Sequence, residues 1–307
     1  CVQGLEVKRI ISSRIEHHAV LHSLEALESE FGTKIEFVQV DEKGFVNLEH
    51  LEELLKNSNE KTLVSLMHVN NEVGTLLDID AVGDLCEKYD AFFHSDTVQS
   101  IGHFPLDFSQ NKIDFATAAA HKFHGPKGVG FAYIRKGSGM EPLIHGGGQE
   151  RGMRAGTEPV YAIAGMHCAM NLAYDNLETS SAYIQNIKDY FIAELKKAVP
   201  GVTFNGACAD KDNSTYTLVN FSLPIDKKRA LLLLFQLDLK GIACSQGSAC
   251  QSGSNTGSHV LHELLGEEAG EKSALRFSFS TFNTKEEVDY AVAILKEYAV
   301  NDVKQKV

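Results

Sequence analysis

Proline is scarce in this sequence, at 6 of 307 residues, and with 25 Gly and 43% apolar residues the balance is that of an ordinary folding chain. Positive charge is in deficit. Against 41 Asp+Glu stand 29 Lys+Arg, for a net charge of -12, which argues against general nucleic-acid binding because phosphate backbones are held by clustered cations. A local basic pocket for an anion remains compatible with that balance. There is no apolar run of about 18 residues, so no membrane-spanning helix is expected. Six cysteines (Cys1, Cys86, Cys168, Cys208, Cys244 and Cys250) are too sparse for a disulfide scaffold, and a reduced, cytoplasmic setting is expected. The opening CVQGLEVKRIISSRIEHHAV has neither an initiator Met nor the basic and apolar regions of a signal peptide. It reaches a strand-like stretch at once and reads as though it starts inside a folded unit. No internal repeat or low-complexity tract is present.

At roughly 150 residues per domain, the length predicts about two domains. Residues 1–172 alternate β-rich runs (VKRIISS, KIEFVQVD, KTLVSLMHV, AFFHSD, DFATAAAH, GVGFAYIR) with amphipathic helices, the pattern of an α/β domain with a mostly parallel sheet. Gly32 reads as a helix C-cap and Asn47 as an N-cap. From Val160 a helical pattern runs to Pro200-Gly201, too long for one helix, so a break is expected near Asn176 to Thr179. Residues 173–307, with strands TYTLVNFSL and SALRFSFS, read as a smaller α+β domain that carries a polar loop at 244–257.

Polar residues recur at the C-terminal ends of the predicted strands, where open α/β sheets collect ligands. They are His17, Asn70 and Asn71, Asp96 and Gln99, and His121-Lys122. Taken singly, each reads equally well as a cap or a loop hydrogen-bonder. Lys122, between an apolar strand and the turn HGPKG, is expected to be partly desolvated, which would make its amine a nucleophile. The run HGGGQERGMRAGT lacks the spacing of a dinucleotide or P-loop fingerprint; it is either an anion-approaching loop with Arg151, Arg154 and Thr157 or an interface loop. CSQGSACQSGSNT presents Cys250 on small polar residues. Cys244, Cys250 and His259 lack metal-ligand spacing, and no metal is expected. Arg276, inside an apolar strand, requires a carboxylate from the fold or from a substrate.

Together MHVNNEVG, HSDTVQSIG, AHKFHGPKG, HGGGQERGMRAGT, GSAC and ALRFS resemble the motifs of the pyridoxal-phosphate-dependent cysteine desulfurases, the NifS-like group of the class V aminotransferases, over essentially the whole chain. The resemblance implies fold type I of these enzymes and the cofactor pyridoxal 5'-phosphate. It also implies roles. Lys122 would hold the cofactor covalently and move protons at the substrate α-carbon, Asp96 would pair with the pyridine nitrogen, and Gln99 with the ring hydroxyl. His17 would stack on the ring, and Asn71 would lie beside the ring hydroxyl and the substrate carboxylate. His121 would lie near the phosphate, and Thr157 would reach the phosphate of a neighbouring subunit in a homodimer. Arg276 would clamp the carboxylate of L-cysteine. Cys250 would take the sulfur as a persulfide, release alanine, and pass sulfur to an acceptor protein such as an iron–sulfur scaffold or a thiolation enzyme.

Two departures accompany the resemblance. A serine that relatives commonly place just before the His-Lys pair is alanine here, Ala119 or Ala120 according to the spacing. Relatives also carry roughly 80 to 90 residues ahead of this chain's first, with a Gly-Thr-rich turn at a helix start that holds the phosphate. The large domain therefore reads as N-terminally incomplete, with a weaker hold on the cofactor expected. The alternatives are a selenocysteine lyase or C–S lyase of the same fold, against which Cys250 argues, and a non-catalytic scaffold or sulfur-relay module.

Overall fold

The computed structural model describes the chain except residues 109, 226, 247–256, 268–272 and 306–307; for 227–229, 231 and 300–305 it describes the backbone alone. The chain forms two compact units. The first holds Cys1–Gln39, Val46–Val69 and Leu77–Leu177; the second holds Val40–Phe45, Asn70–Leu76 and Glu178–Val307.

The first unit runs α1 (Val2–Leu5), β1 (Arg9–Ser12), α2 (His18–Phe31), β2 (Lys34–Phe37), α3 (Leu48–Lys56), β3 (Thr62–Ser65), α4 (Ile79–Lys88), β4 (Phe92–Asp96), β5 (Phe115–Ala119), β6 (Gly130–Ile134) and α5 (Val160–Asp175). Its sheet has the order β2-β1-β3-β4-β5-β6, parallel except for the antiparallel pair β5–β6. Every residue of β1 and β3 is buried, as parallel strands covered on both faces must be. The β3 ladder ends at Ser65, although burial continues through Val69. Leu51 and Leu55 of α3 and Val82 and Cys86 of α4 pack against Ile11, Val64, Phe93 and Ala116. Leu24 of α2 packs with Ile10, Leu63 and Phe115 in a separate cluster. Each such side chain, fully buried, contributes about 1.5–3 kcal/mol. Local signals set the helix limits. Asn47 accepts from the His50 amide at 3.0 Å and Asp78 from that of Ala81 at 3.0 Å, while Gly32 closes α2 with φ 63°.

The order of the strands places a switch between β1 and β3. The chain leaves β1 for β2 on one side and later crosses to build β3, β4 and β5 on the other. Loops that diverge from neighbouring strand ends leave a crevice there.

The second unit contains most of α6 (Leu177–Ala198), then β7 (Thr203–Phe204), β8 (Leu218–Leu223), α7 (Lys227–Leu239), α8 (His259–Leu265), β9 (Ser273–Ser278) and α9 (Lys285–Gln305). Its three strands are antiparallel, in the order β7-β8-β9. Phe191 of α6 packs on Phe221 and Phe277, with ring centroids 5.6 and 5.2 Å apart, and Leu233 and Leu295 complete that core. The long helical stretch breaks at Asn176, whose side-chain amide donates to the Leu172 carbonyl at 2.8 Å.

Candidate active site

Four strand ends of the first unit lie side by side and carry polar chemistry. His17 follows β1, Asp96 closes β4 with Gln99 in the turn beyond, and His121-Lys122 follow β5. Between the first two, the segment after β3 is tied to β4 by the His68 amide, which donates to the Asp96 carbonyl at 3.0 Å.

Asp96 is buried, and its Oδ1 accepts the Val98 amide at 2.9 Å. Burial pushes its carboxyl above the ordinary range, and the Val98 hydrogen bond and the charges of His17 and Lys122 pull it back. Imidazole, carboxylate and amine therefore interact at one site. His17 caps α2, with Nδ1 accepting the Ala19 amide at 3.1 Å. A ring nitrogen that accepts carries no hydrogen, so the neutral imidazole keeps its proton on Nε2.

Lys122 departs from the expectation of desolvation, for its side chain is exposed in the chain. The reason is local. Ala120–Phe123 form a 3-10 turn, whose three-residue period turns Ala120 and Phe123 into the core and His121 and Lys122 outward. His124 follows with φ 65°, and a Cβ on Gly125 would stand 2.9 Å from the Ala120 carbonyl oxygen, which explains the glycine. His103, which sequence reasoning missed, donates from Nε2 to the Lys122 carbonyl at 3.0 Å.

Thr157, Arg151 and Arg154 lie on the exposed stretch ahead of α5. Cys250 lies outside the described residues. Asn71 and Arg276 belong to the second unit and meet there, with Arg276 Nη1 donating to the Asn71 carbonyl at 2.7 Å. Arg276 also pairs by backbone with Ser245, at 2.7 and 3.1 Å. Next to Asn71, the fully buried Glu72 accepts Ser258 Oγ at 2.5 Å, and Ser258 caps α8. Ser245, through Arg276, and Ser258, directly, are thus both moored to the dipeptide Asn71-Glu72. Glu72 and Ser258 gave no signal in the sequence, because a contact across 186 positions leaves no local pattern.

The donor set of the first unit suits a pyridine ring with an aldehyde. A buried carboxylate can hold a ring nitrogen protonated, an accessible amine can bond the aldehyde carbon, and an imidazole of fixed tautomer stands beside them. Ala119, half-buried at the end of β5, offers no hydroxyl.

A family model described as Aminotransferase class-V matches residues 5–291. A protein named "Cysteine desulfurase IscS" from Clostridium botulinum (strain Kyoto / Type A2) is 41% identical over 286 residues, which cover 93% of this chain and 70% of that protein. The protein of the same name from Dictyoglomus turgidum is 39% identical over 289 residues, 94% of this chain and 71% of its own length. A solved structure titled "NIFS-LIKE PROTEIN" superposes with a TM-score of 0.83 at 36% identity, covering 95% of this chain and 74% of that one. With its large mixed sheet and smaller antiparallel sheet, the chain belongs to the NifS-like cysteine desulfurases of the pyridoxal-phosphate-dependent class-V aminotransferase family.

Proposed function

We propose that the chain is a cysteine desulfurase. It takes sulfur from L-cysteine, releases L-alanine and leaves a persulfide on Cys250, for delivery to an acceptor protein such as an iron–sulfur scaffold or a thiolation enzyme. The observation that carries this reading is the buried Asp96 at the end of β4, with His17 after β1 and Lys122 after β5 at the same end of the sheet.

Bound pyridoxal phosphate supplies an electron sink conjugated to the substrate α-carbon. Asp96 would keep a proton on the ring nitrogen, and Gln99 and Asn71 would hydrogen-bond the ring hydroxyl. His17 would cover the ring face, His121 would lie near the phosphate, and Lys122 would hold the cofactor and carry a proton to and from the α-carbon. Arg276 binds the substrate carboxylate, a pairing suited to its planar fork of donors. The Cys250 thiolate attacks the substrate sulfur. As the S–S bond forms, the C–S bond breaks, and its electron pair goes to the β-carbon, which takes up a proton to give alanine.

A homodimer, with Thr157 reaching the partner's phosphate, is part of the same proposal. Support comes from Leu143, Val160 and Tyr161, large apolar side chains exposed on either side of the Thr157 stretch. A cytoplasmic setting is supported by Cys1, Cys86, Cys168, Cys208 and Cys244, all free thiols. Among the described residues no helix is long and apolar enough to cross a membrane, and no metal-binding cluster occurs.

The test is to supply the chain with pyridoxal phosphate, L-cysteine and a thiol reductant and to measure alanine, sulfide and the mass of Cys250. Equal yields of alanine and sulfide are expected, with one sulfur added to Cys250 before reduction. Lys122→Ala should abolish both products, and Cys250→Ala should abolish sulfide release. Full desulfuration by the Cys250→Ala variant would overturn the reading in favour of a lyase.

A further inference from the structure

Glu16 lies in the loop after β1, against the segment after β3, and has no part in the chemistry above. Its carboxyl is fully buried. A single oxygen, Oε1, accepts the Ser13 hydroxyl at 2.9 Å from its own loop and the Met67 amide at 3.0 Å from the segment after β3. It therefore spans the switch point of the sheet, where the two loops would otherwise diverge. Its chain neighbour is His17, and its electrostatic neighbour is Asp96 at the end of β4. A buried carboxyl between these two is expensive to keep unless it holds something in place.

We infer that Glu16 is a positioning residue of the cofactor site, which fixes the loop that carries His17 to the segment after β3 and thereby sets His17 against Asp96. The inference rests on the cofactor reading of the site. It also specifies a charge state. Burial, and secondarily the charge of Asp96, raise the Glu16 carboxyl from its ordinary 4.5 to about 8, against the pull of Met67 and Ser13. Near neutral pH the tie is then a neutral acid. Ser13 on its own loop, the Met67 amide after β3 and Asp96 at the end of β4 all face Glu16, and Asp96 in turn feels His17 and Lys122.

The sign of the pH effect follows. A carboxyl whose pKa is raised by folding contributes most below its unfolded value, and that contribution is lost as pH rises through the folded one. The window is therefore between 4.5 and about 8. Glutamine at this position keeps an oxygen to accept both hydrogen bonds and never ionises.

The experiment measures pyridoxal phosphate affinity by fluorescence titration, and the melting temperature of the cofactor-free chain, from pH 5 to pH 9, for wild type, Glu16→Gln and Glu16→Ala (roughly the pH range spanned by the carboxyl's titration). Glu16→Gln should bind the cofactor within about 3-fold of wild type, and Glu16→Ala about 10-fold more weakly. Relative to wild type, Glu16→Gln should gain thermal stability as pH rises. Wild-type affinity in the alanine variant would overturn the positioning role, as would a glutamine variant that binds as weakly as the alanine one. If the alanine variant does not fold, a wild-type-minus-glutamine melting difference that stays constant with pH would be enough to sink the inference. Failure of the wild-type chain to bind the cofactor would instead remove the reading of the site.

Discussion

Arg276 and Asn71 lie 205 positions apart, yet the Arg276 guanidinium donates to the Asn71 carbonyl at 2.7 Å. Nη1 of the fork is thus spent on Asn71, while Nη2 reaches Ser245 Oγ at 3.5 Å. Lysine cannot do both. Arg276→Lys should raise the KM for cysteine about 10–100-fold and lower stability by about 1.5–3 kcal/mol through the lost charged hydrogen bond. Steady-state kinetics and urea denaturation check the two effects separately; an unchanged KM would show that the arginine serves structure alone.

Asp96 is raised above its ordinary 3.8 by burial. The native state thus holds this proton more tightly than the unfolded chain, and stability is lost as pH rises through the folded value. Asp96→Asn should stabilise the cofactor-free chain by about 1 kcal/mol at neutral pH, as relief of a strained functional site commonly does, and should cut turnover about 100-fold or more. Melting curves without cofactor and alanine production with it are the two measurements. A variant that loses stability would mean that the carboxylate is better paired in the fold than its surroundings indicate.

Ala119→Ser restores a hydroxyl at the end of β5. If the phosphate of the cofactor lies within reach, one added hydrogen bond to an anion should tighten cofactor binding by about 1.5 kcal/mol, roughly 10-fold. Fluorescence titration with pyridoxal phosphate decides it, with unchanged affinity as the contrary result.

Lys188, on α6, is buried in the second unit, where Nζ donates to Ser214 Oγ at 3.0 Å and to the Thr215 carbonyl at 2.6 Å. Burial lowers its amine from 10.5 to about 8, opposed by Cys208, Asp189 and Asp210. A base weakened by folding detracts most below the folded value, so stability should rise by about 3 kcal/mol between pH 8 and 10.5 from this group. Lys188→Met should remove that rise, as read by denaturation of both proteins across the window.

Much of the first unit was legible because its strands are continuous apolar runs and its helices carry their own caps. Asn47 and Gly32 act where the sequence placed them, and the helical break came at Asn176, within the expected stretch. Other features have no local signature. A two-residue strand such as Thr203–Phe204 has no alternation to detect. Lys188 looks like any polar position on an amphipathic helix, and its burial is explained only by the distant Ser214 hydroxyl and Thr215 carbonyl that accept from it. Glu16 reads as a solvent-facing loop residue until the segment after β3 is laid beside it. The outward turn of Lys122 depends on a 3-10 turn, where an apolar strand followed by a tight loop suggested enclosure.

The segment Asn70–Leu76 clusters with residues made much later. The Glu72 carbonyl accepts Asn220 Nδ2 at 3.0 Å, the Gly74 carbonyl accepts the Thr215 amide at 2.9 Å, and Thr75 Oγ1 accepts the Ala207 amide at 3.2 Å, across 132 positions. A fragment cut at Glu178 would leave those three donors without their acceptors. The smaller unit is therefore no portable cassette: a fusion or split-protein design must carry Asn70–Leu76 along with it, and on the ribosome this unit cannot mature until its early-made piece has waited for the late ones to emerge.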